Sequence, residues 1–471
     1  MRRTLLIAAT TLLLVVTACG SESTDTTNAS DCPVDALDDA TGPVEVVMWE
    51  TFTGEPLRMM QELVERYNAS QDEVVVRMES QGASYAEMQR KFITAIGAGG
   101  VPALIPLEET QTQFMADSGA IVTGQACADA DGYDLGQFLP SVVESSTVDG
   151  ALQPAGLDVS TPVMYYNRDH FSTAGLDPDD PPDTLAELRT AAEALQAAGA
   201  SERPFVLLLA PQFVEQWLTG ADATIVDNDN GHAGLATAST FANPTTTELY
   251  QWLADMNADG LLNPIPGTDA QVDHYFAMAL GQSSITVETS TAISTINAVL
   301  EGTLDPAEVG LDGPLPPIDI NVDVAPFPGV DAAGRTTPGG GAFYIPSGNS
   351  PEVIAGAWDF MKWFNAASAQ ADWMIGSTYM AWNAAAYDEP VVVDWEASTR
   401  PGRWLQVAVD QIAGLADRSP APLIGPYTDV RNAIRRSLDE LLLADSGVTE
   451  AVDGANTAIE EALRRYEEEN F

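Results

Sequence analysis

Side chains able to contact a ligand gather where apolar runs end. Ser160 and Thr161 sit between Pro154-Ala155-Gly156 and the run Val163-Met164-Tyr165-Tyr166, just ahead of Pro162. Proline fixes φ and donates no ladder hydrogen bond, and glycine bends freely. The stretch from Gln153 to Phe171 therefore reads as an extended segment crossing between two lobes, which aims small hydroxyls into a cleft. The same residues also suit an ordinary edge strand. Ser283 to Ser290 repeats the pattern, a strand followed by small hydroxyls at a crossing. Glu108 and Glu109 follow the apolar run Val101 to Leu107 and stand at a ligand position beyond a strand, or at a solvated helix start. The glycines of Pro338-Gly339-Gly340-Gly341 allow backbone to approach a ligand closely, or act as a hinge. Trp373, Tyr379 and Trp382 offer faces that stack on sugars or cationic head groups, although helix core is the usual fate of tryptophan.

The chemistry of turnover has no comparable signature. HExxH, G-x-S-x-G and P-loop patterns are absent, and His170, His232 and His274 lack metal-ligand spacing. Carboxylates are too numerous for counting to exclude a glycosidase pair, but no pair rises above the background. Asp227 to Gly231 resembles a calcium loop only superficially. With Gly231 at the turn position, Val226 occupies the first ligand position and no glutamate the last, so a polar turn is expected. No cofactor is implied.

The elements that would hold these residues alternate in type. Strands are predicted at Val44 to Trp49, Glu73 to Met78 and Val101 to Leu107. Helices fall between and after them, from Glu55 to Asn68, from a Ser84 cap to Ile96 with Gly97 as stop, and from Thr112 to Ala116. Beyond the crossing, a helix Thr184 to Ala198, a strand Phe205 to Leu209 and a helix Thr246 to Asp259 continue the series. Gly302 to Ile320 reads as a loop rich in proline and glycine, and Ala342 to Ile345 as a strand. Helices follow from Pro351 to Ala366, from Val430 to Leu443 and from Thr449 to Glu468. This order predicts an α/β fold whose mainly parallel sheets carry helices on both faces, with ligands beyond the carboxyl ends of the strands.

A chain of 471 residues exceeds one hydrophobic core and predicts two lobes. It carries 69 acidic against 20 basic residues, a net charge of -49, and only two lysines, Lys91 and Lys362. That field opposes nucleic acid and anionic membrane surfaces, and an anionic ligand would need local donors. At the amino terminus, Arg2 and Arg3 precede an apolar run from Leu5 to Val16, and Val16-Thr17-Ala18-Cys19 resembles a bacterial lipoprotein cleavage box. Residues 1–19 are therefore expected to be a signal peptide. Cleavage would leave Cys19 for lipid attachment on the outer face of the cytoplasmic membrane, with residues 20–42 as a polar tether. With Cys19 lipidated, Cys32 and Cys127 are left to form one disulfide.

Four stretches, MWETFTGE, STPVMYYNRDHFSTAGLDPDDPPDTLAEL, PGGGAFYI and GSTYMAWNAAAY, resemble the extracellular solute-binding proteins of bacterial ABC importers. The likeness covers about Val44 to Phe471 and is greatest to the branch that contains the glycerol-3-phosphate-binding protein. It implies a type II two-lobe fold that closes on its solute about a hinge, as a monomer, and delivers it to membrane permease subunits. The lobe segments implied are 43–157 and 290–336 for the first, and 158–289 and 337–471 for the second. Tyr85, Glu109, Ser160, Ser290, Gly340 and Tyr379 are implied to line the cleft, with Tyr427 and Arg431 completing the set. Two features depart from the branch. The span Leu208 to Phe213 has no tryptophan, and Gly425 is followed by Pro426 and Tyr427, where the branch has arginine; the next arginine is Arg431. A displaced bidentate clamp weakens the case for a phosphate. The solute is left open between a glycerol phosphate, a glycerophosphodiester such as glycerophosphocholine, and a neutral saccharide. A secreted carbohydrate-active enzyme is the alternative of another class.

Overall fold

The computed structural model describes residues 31–82, 84–267, 273–304, 318–414 and 421–471. Cys19, the signal segment and most of the tether lie outside them, as does most of the loop region Gly302 to Ile320. Among the described residues, thirteen strands form two lobes. In lobe one, β1 (Val44–Glu50) and β2 (Val74–Ser80) pair in parallel. Met48 bridges Leu104 in parallel, just ahead of β3 (Ile105–Glu108). β4 (Ile121–Val122) follows, then a small hairpin of β5 (Thr147–Val148) and β6 (Ala151–Leu152), then β7 (Gly156–Ser160).

Lobe two begins one residue later, with β8 (Pro162–Asn167). Its other strands are β9 (Phe205–Leu209), β10 (Leu262–Pro266), β11 (Ile285–Thr289) and β12 (Val322–Pro326), in the order β10-β9-β11-β8-β12. β13 (Gly339–Pro346) returns to lobe one, antiparallel to β3, β4 and β7.

The strands of the β-α-β units are parallel, as their order predicts: β1 with β2, and β9 with both β10 and β11. The strands that enter from the other lobe run antiparallel, β8 against β11 and β12, and β13 against its three neighbours. The five-stranded sheet of lobe two is therefore mixed, and lobe one sets the parallel pair β1-β2 beside an antiparallel sheet of β3, β4, β7 and β13. The expected segment boundaries need correction on the same ground. β12, expected to return to lobe one, lies beside β8 in lobe two; β13, expected in lobe two, lies in lobe one. Residues 158–160 stay in lobe one because β7 pairs with β13 through Ser160. Apolar periodicity marks a strand but not which sheet it joins.

Local signals explain most element ends. Ser84 caps the helix Tyr85–Ala98 through the Glu87 N–H, and Thr184 and Glu187 form a full capping box at Leu185–Ala197. The expected stop at Gly97 moves to Gly99, which takes the left-handed conformation (φ 72°). Asp227–Asn230 is a polar turn; the Asp227 carboxylate accepts the N–H groups of Thr237 and Ala238. No group of metal ligands occurs among the described residues.

One core fills lobe two around Met164, Phe205, Trp217, Tyr250 and Ile434, and another fills lobe one around Val46, Met60, Tyr67 and Trp358. A third runs across the middle from Phe92 through Tyr165 to Trp404. Cys32 and Cys127 form the expected disulfide, which ties the chain entering lobe one to the helix Gly124–Asp131. Among the described residues, no helix is long and apolar enough to cross a membrane.

Candidate ligand cleft

The chain passes between the lobes at Thr161, at Ser290 and at Thr336, and the three passages are fastened to one another. The Ser290 N–H donates to the Thr161 carbonyl at 2.8 Å, and the Thr161 N–H donates to Ser290 Oγ at 3.4 Å. The hydroxyls of Thr161 and Thr336 lie 2.8 Å apart. Gln411 Nε2 donates to both hydroxyls, at 2.8 and 3.0 Å, and to the Pro162 carbonyl, while its Oε1 accepts the Phe327 N–H. Ser290 is fully buried in this junction.

In front of the junction opens a cavity of about 170 Å³ lined by Tyr85, Glu108, Glu109, Ser160, Thr161, Pro162, Gln212, Gln216, Thr289, Thr291, Gly339, Gly340, Tyr379 and Arg431. Two further cavities, of about 310 and 300 Å³, continue it on either side and share Tyr85 with it. Six of the eight residues expected to line the cleft thus meet around one space: Tyr85, Glu109, Ser160, Gly340, Tyr379 and Arg431. Ser290 does not, because the junction uses its hydroxyl; its neighbours Thr289 and Thr291 take that place. Tyr427 does not either. It lies buried behind Arg431, whose guanidinium is 5.3 Å from its ring, and its hydroxyl reaches Glu215.

The floor is the glycine strand. Glu109 opens the turn after β3, and its Oε2 accepts the Gly340 N–H at 3.0 Å. A Cβ at Gly339 would stand 3.5 Å from both Glu109 Oε1 and Ser160 Oγ, so these two side chains lie over the same glycine. Burial pushes the Glu109 carboxyl up to about 7; Glu108 adds to this, and Arg431 opposes it. Beneath, Asp158 on β7 is 1% exposed and accepts the Gly341 N–H.

The walls are aromatic on one side and charged on the other. Tyr379 stacks on Trp373 at 5.7 Å and lines the cavity together with Tyr85. Burial and then the surrounding carboxylates hold both hydroxyls protonated, far above their ordinary range. Trp373 itself is core, and Trp382 stacks on Phe138 away from the cavity. Opposite, Arg431 donates to Glu215 through Nε and a terminal nitrogen, at 2.9–3.2 Å, and to Glu108 at 2.8 Å. Burial works against its charge, but Glu215 and Glu108 outweigh that and hold the guanidinium protonated.

Sequence reasoning missed Gln212 and Gln216, one helical turn apart on Pro211–Gly220. The signal was there: the span that lacks the branch's tryptophans carries Gln212. Gln216 also accepts the Thr337 N–H at 2.6 Å, next to the third passage.

Residues 62–400 match the family described as bacterial extracellular solute-binding protein. The sn-glycerol-3-phosphate-binding periplasmic protein UgpB of Brucella melitensis is 26% identical over 420 residues, covering 87% of this chain and 91% of its own. That of Rhizobium meliloti is 26% identical over 440 residues, covering 90% and 96%. Among solved structures, UgpB from Mycobacterium tuberculosis in complex with glycerophosphocholine superposes with a TM-score of 0.71 at 20% identity, over 90% of this chain and 99% of the other. The GacH receptor of Streptomyces glaucescens, solved unliganded and with acarbose, gives 0.72 at 20% identity, over 91% and 100%.

Proposed function

The chain belongs to the bacterial extracellular solute-binding proteins, and from that footing we propose that its inter-lobe cleft captures a hydroxyl-rich solute, a glycerophosphodiester or a saccharide, and hands it to an ABC permease. The observation that carries this reading is the cavity in which Glu109 and Ser160 lie over one glycine, with Tyr85, Tyr379, Gln212 and Gln216 among its lining residues. A carboxylate and amides accept and donate to vicinal hydroxyls, and two tyrosine rings cover the apolar side of a sugar or a cationic head group. Closure about the passages at Thr161, Ser290 and Thr336 would expel water and strengthen each polar contact. Relatives named as binding proteins support capture rather than turnover.

A glycerophosphodiester is the first reading, because Arg431 gives its single negative charge a nearby cation and the tyrosines suit a choline head group. A neutral di- or oligosaccharide is the second. It is favoured by the ties of Arg431 to Glu108 and Glu215, which leave the guanidinium little capacity for a phosphate. Both readings disfavour glycerol 3-phosphate, whose dianion would enter a site already rich in carboxylates. For the amino terminus, we propose the lipid anchor at Cys19, with the disulfide fixing the end of the tether to lobe one.

Titration calorimetry with glycerophosphocholine, glycerol 3-phosphate and maltotriose tests the reading. Heat from glycerophosphocholine alone supports the first solute, and heat from maltotriose alone supports the second. Binding of neither, with glycerol 3-phosphate the tightest, overturns the charge argument.

A further inference from the structure

Asp158 contributes to none of the cavity walls, yet it is the buried acid closest to the glycine floor. Its carboxyl accepts the Gly341 N–H through Oδ1, while Glu109 accepts the N–H of the preceding residue, Gly340. Consecutive amides of one strand thus serve two carboxyl groups, one inside the cleft and one beneath it. The arrangement needs bare glycines. A Cβ at Gly340, where φ is 132°, would fall 2.0 Å from the Asp158 carbonyl oxygen, and one at Gly341 would fall 2.9 Å from Asp158 Oδ1. The second carboxyl oxygen, Oδ2, is buried with no hydrogen-bond partner among the described residues. An ionised carboxylate left in that condition is costly, whereas a neutral acid is tolerated.

We propose that Asp158 is a positioning residue of the cleft, a neutral carboxylic acid that holds the glycine floor and, through it, Glu109 in place for the solute. The proposal rests on the capture reading of the cleft.

Its surroundings agree. Glu109, from the turn after β3, is the charged group whose field acts on Asp158, and burial together with that field raises the Asp158 carboxyl to about 8 although the Gly341 N–H lowers it. From the helix Tyr85–Ala98 comes Tyr85, and from the segment after Ala367–Ser377 comes Tyr379; both hydroxyls would feel a charge on Asp158. Glu108 and Arg431 act on the pair through Glu109, with opposite signs. Ionisation of Asp158 would put a second negative charge against Glu109 across a single strand. The floor and the carboxylate above it would then be displaced.

The test compares the full mature chain with Asp158→Asn between about pH 5 and about pH 9, by thermal unfolding and by calorimetry with glycerophosphocholine and maltotriose. The native state keeps a proton on Asp158 that the unfolded chain releases above its ordinary carboxyl range. The wild type should therefore lose melting temperature relative to Asp158→Asn across this interval, by ~2 °C or more. Its affinity for the probe that gives heat should fall about threefold or more above pH 8, while the variant stays level there. Melting temperatures that differ by a constant amount at all pH values overturn the neutral acid. If Asp158→Asn does not fold, the wild type alone decides: affinity unchanged from about pH 7 to pH 9 also overturns the proposal. Absence of heat with both probes counts against the capture reading, and the melting comparison still decides the state of Asp158.

Discussion

The junction between the lobes and the floor of the cleft lie side by side and are built from opposite materials. The junction is neutral: Thr161, Ser290, Thr336 and Gln411 exchange hydroxyl and amide hydrogen bonds, and each of these side chains has a partner. The floor is acidic. Glu108 and Glu215 hold the Arg431 guanidinium, Glu109 lies over the glycines, and Asp158 lies beneath them with one oxygen that has no hydrogen-bond partner among the described residues. A neutral, saturated network fixes geometry without responding to pH or to the charge of a ligand. A crowded acidic one responds to both, at a cost in stability. The molecule thus separates a neutral joint between the lobes from an acidic floor beneath the cavity.

Four substitutions break or sharpen this contrast. The largest effect is expected from Gly340→Ala, which forces a methyl group against the Asp158 carbonyl at a backbone conformation alanine rarely adopts. A loss of about 4 kcal/mol in stability, read by urea unfolding, together with loss of solute binding, is the expected outcome. An alanine variant that melts like wild type would remove the glycine floor from the account.

Next, Gln411→Ala leaves the Phe327 N–H without its acceptor and the hydroxyls of Thr161 and Thr336 without their amide donor. It should cost about 3 kcal/mol of stability with an unchanged pH profile of binding. A shifted profile would show that junction and floor are coupled. Ser290→Ala probes the same network and should cost only about 1 kcal/mol, with affinity within about twofold of wild type.

The smallest effect on folding belongs to Glu109→Gln, which should weaken binding about tenfold or more while changing stability mainly through its pH dependence. The sign follows from the raised carboxyl. With a folded value of about 7 against 4.5 for an ordinary glutamate, the protonated form stabilises the fold fully below pH 4.5, and that contribution is lost as pH rises through 7. Melting curves of the wild type should decline over that window, and those of Glu109→Gln should decline less.

Much of this was legible in the chain. Ser160, Glu109 and Gly340 could be placed because each follows or ends an apolar run, and local pattern encodes such positions. The same logic found the helix caps at Ser84 and Thr184. What it could not encode was partnership between distant segments. Gln411 meets Thr161 across 250 positions, and Asp158 meets Gly341 across 183. Neither side chain differs in local context from dozens of other amides and acids in this composition. The exchange of β12 and β13 between the lobes has the same origin, since Val322 and Val324 would suit either sheet edge. Ser290 was misplaced for a subtler reason: the crossing was identified correctly, but a hydroxyl on a crossing can face the joint as readily as the gap.

The bond between Cys32 and Cys127 fixes a frame of reference. Because it clips the incoming chain to lobe one, a pull from any anchor upstream would be borne by that lobe, like the fixed jaw of a vice. Were the lobes to close on a solute, lobe two would then be the travelling jaw.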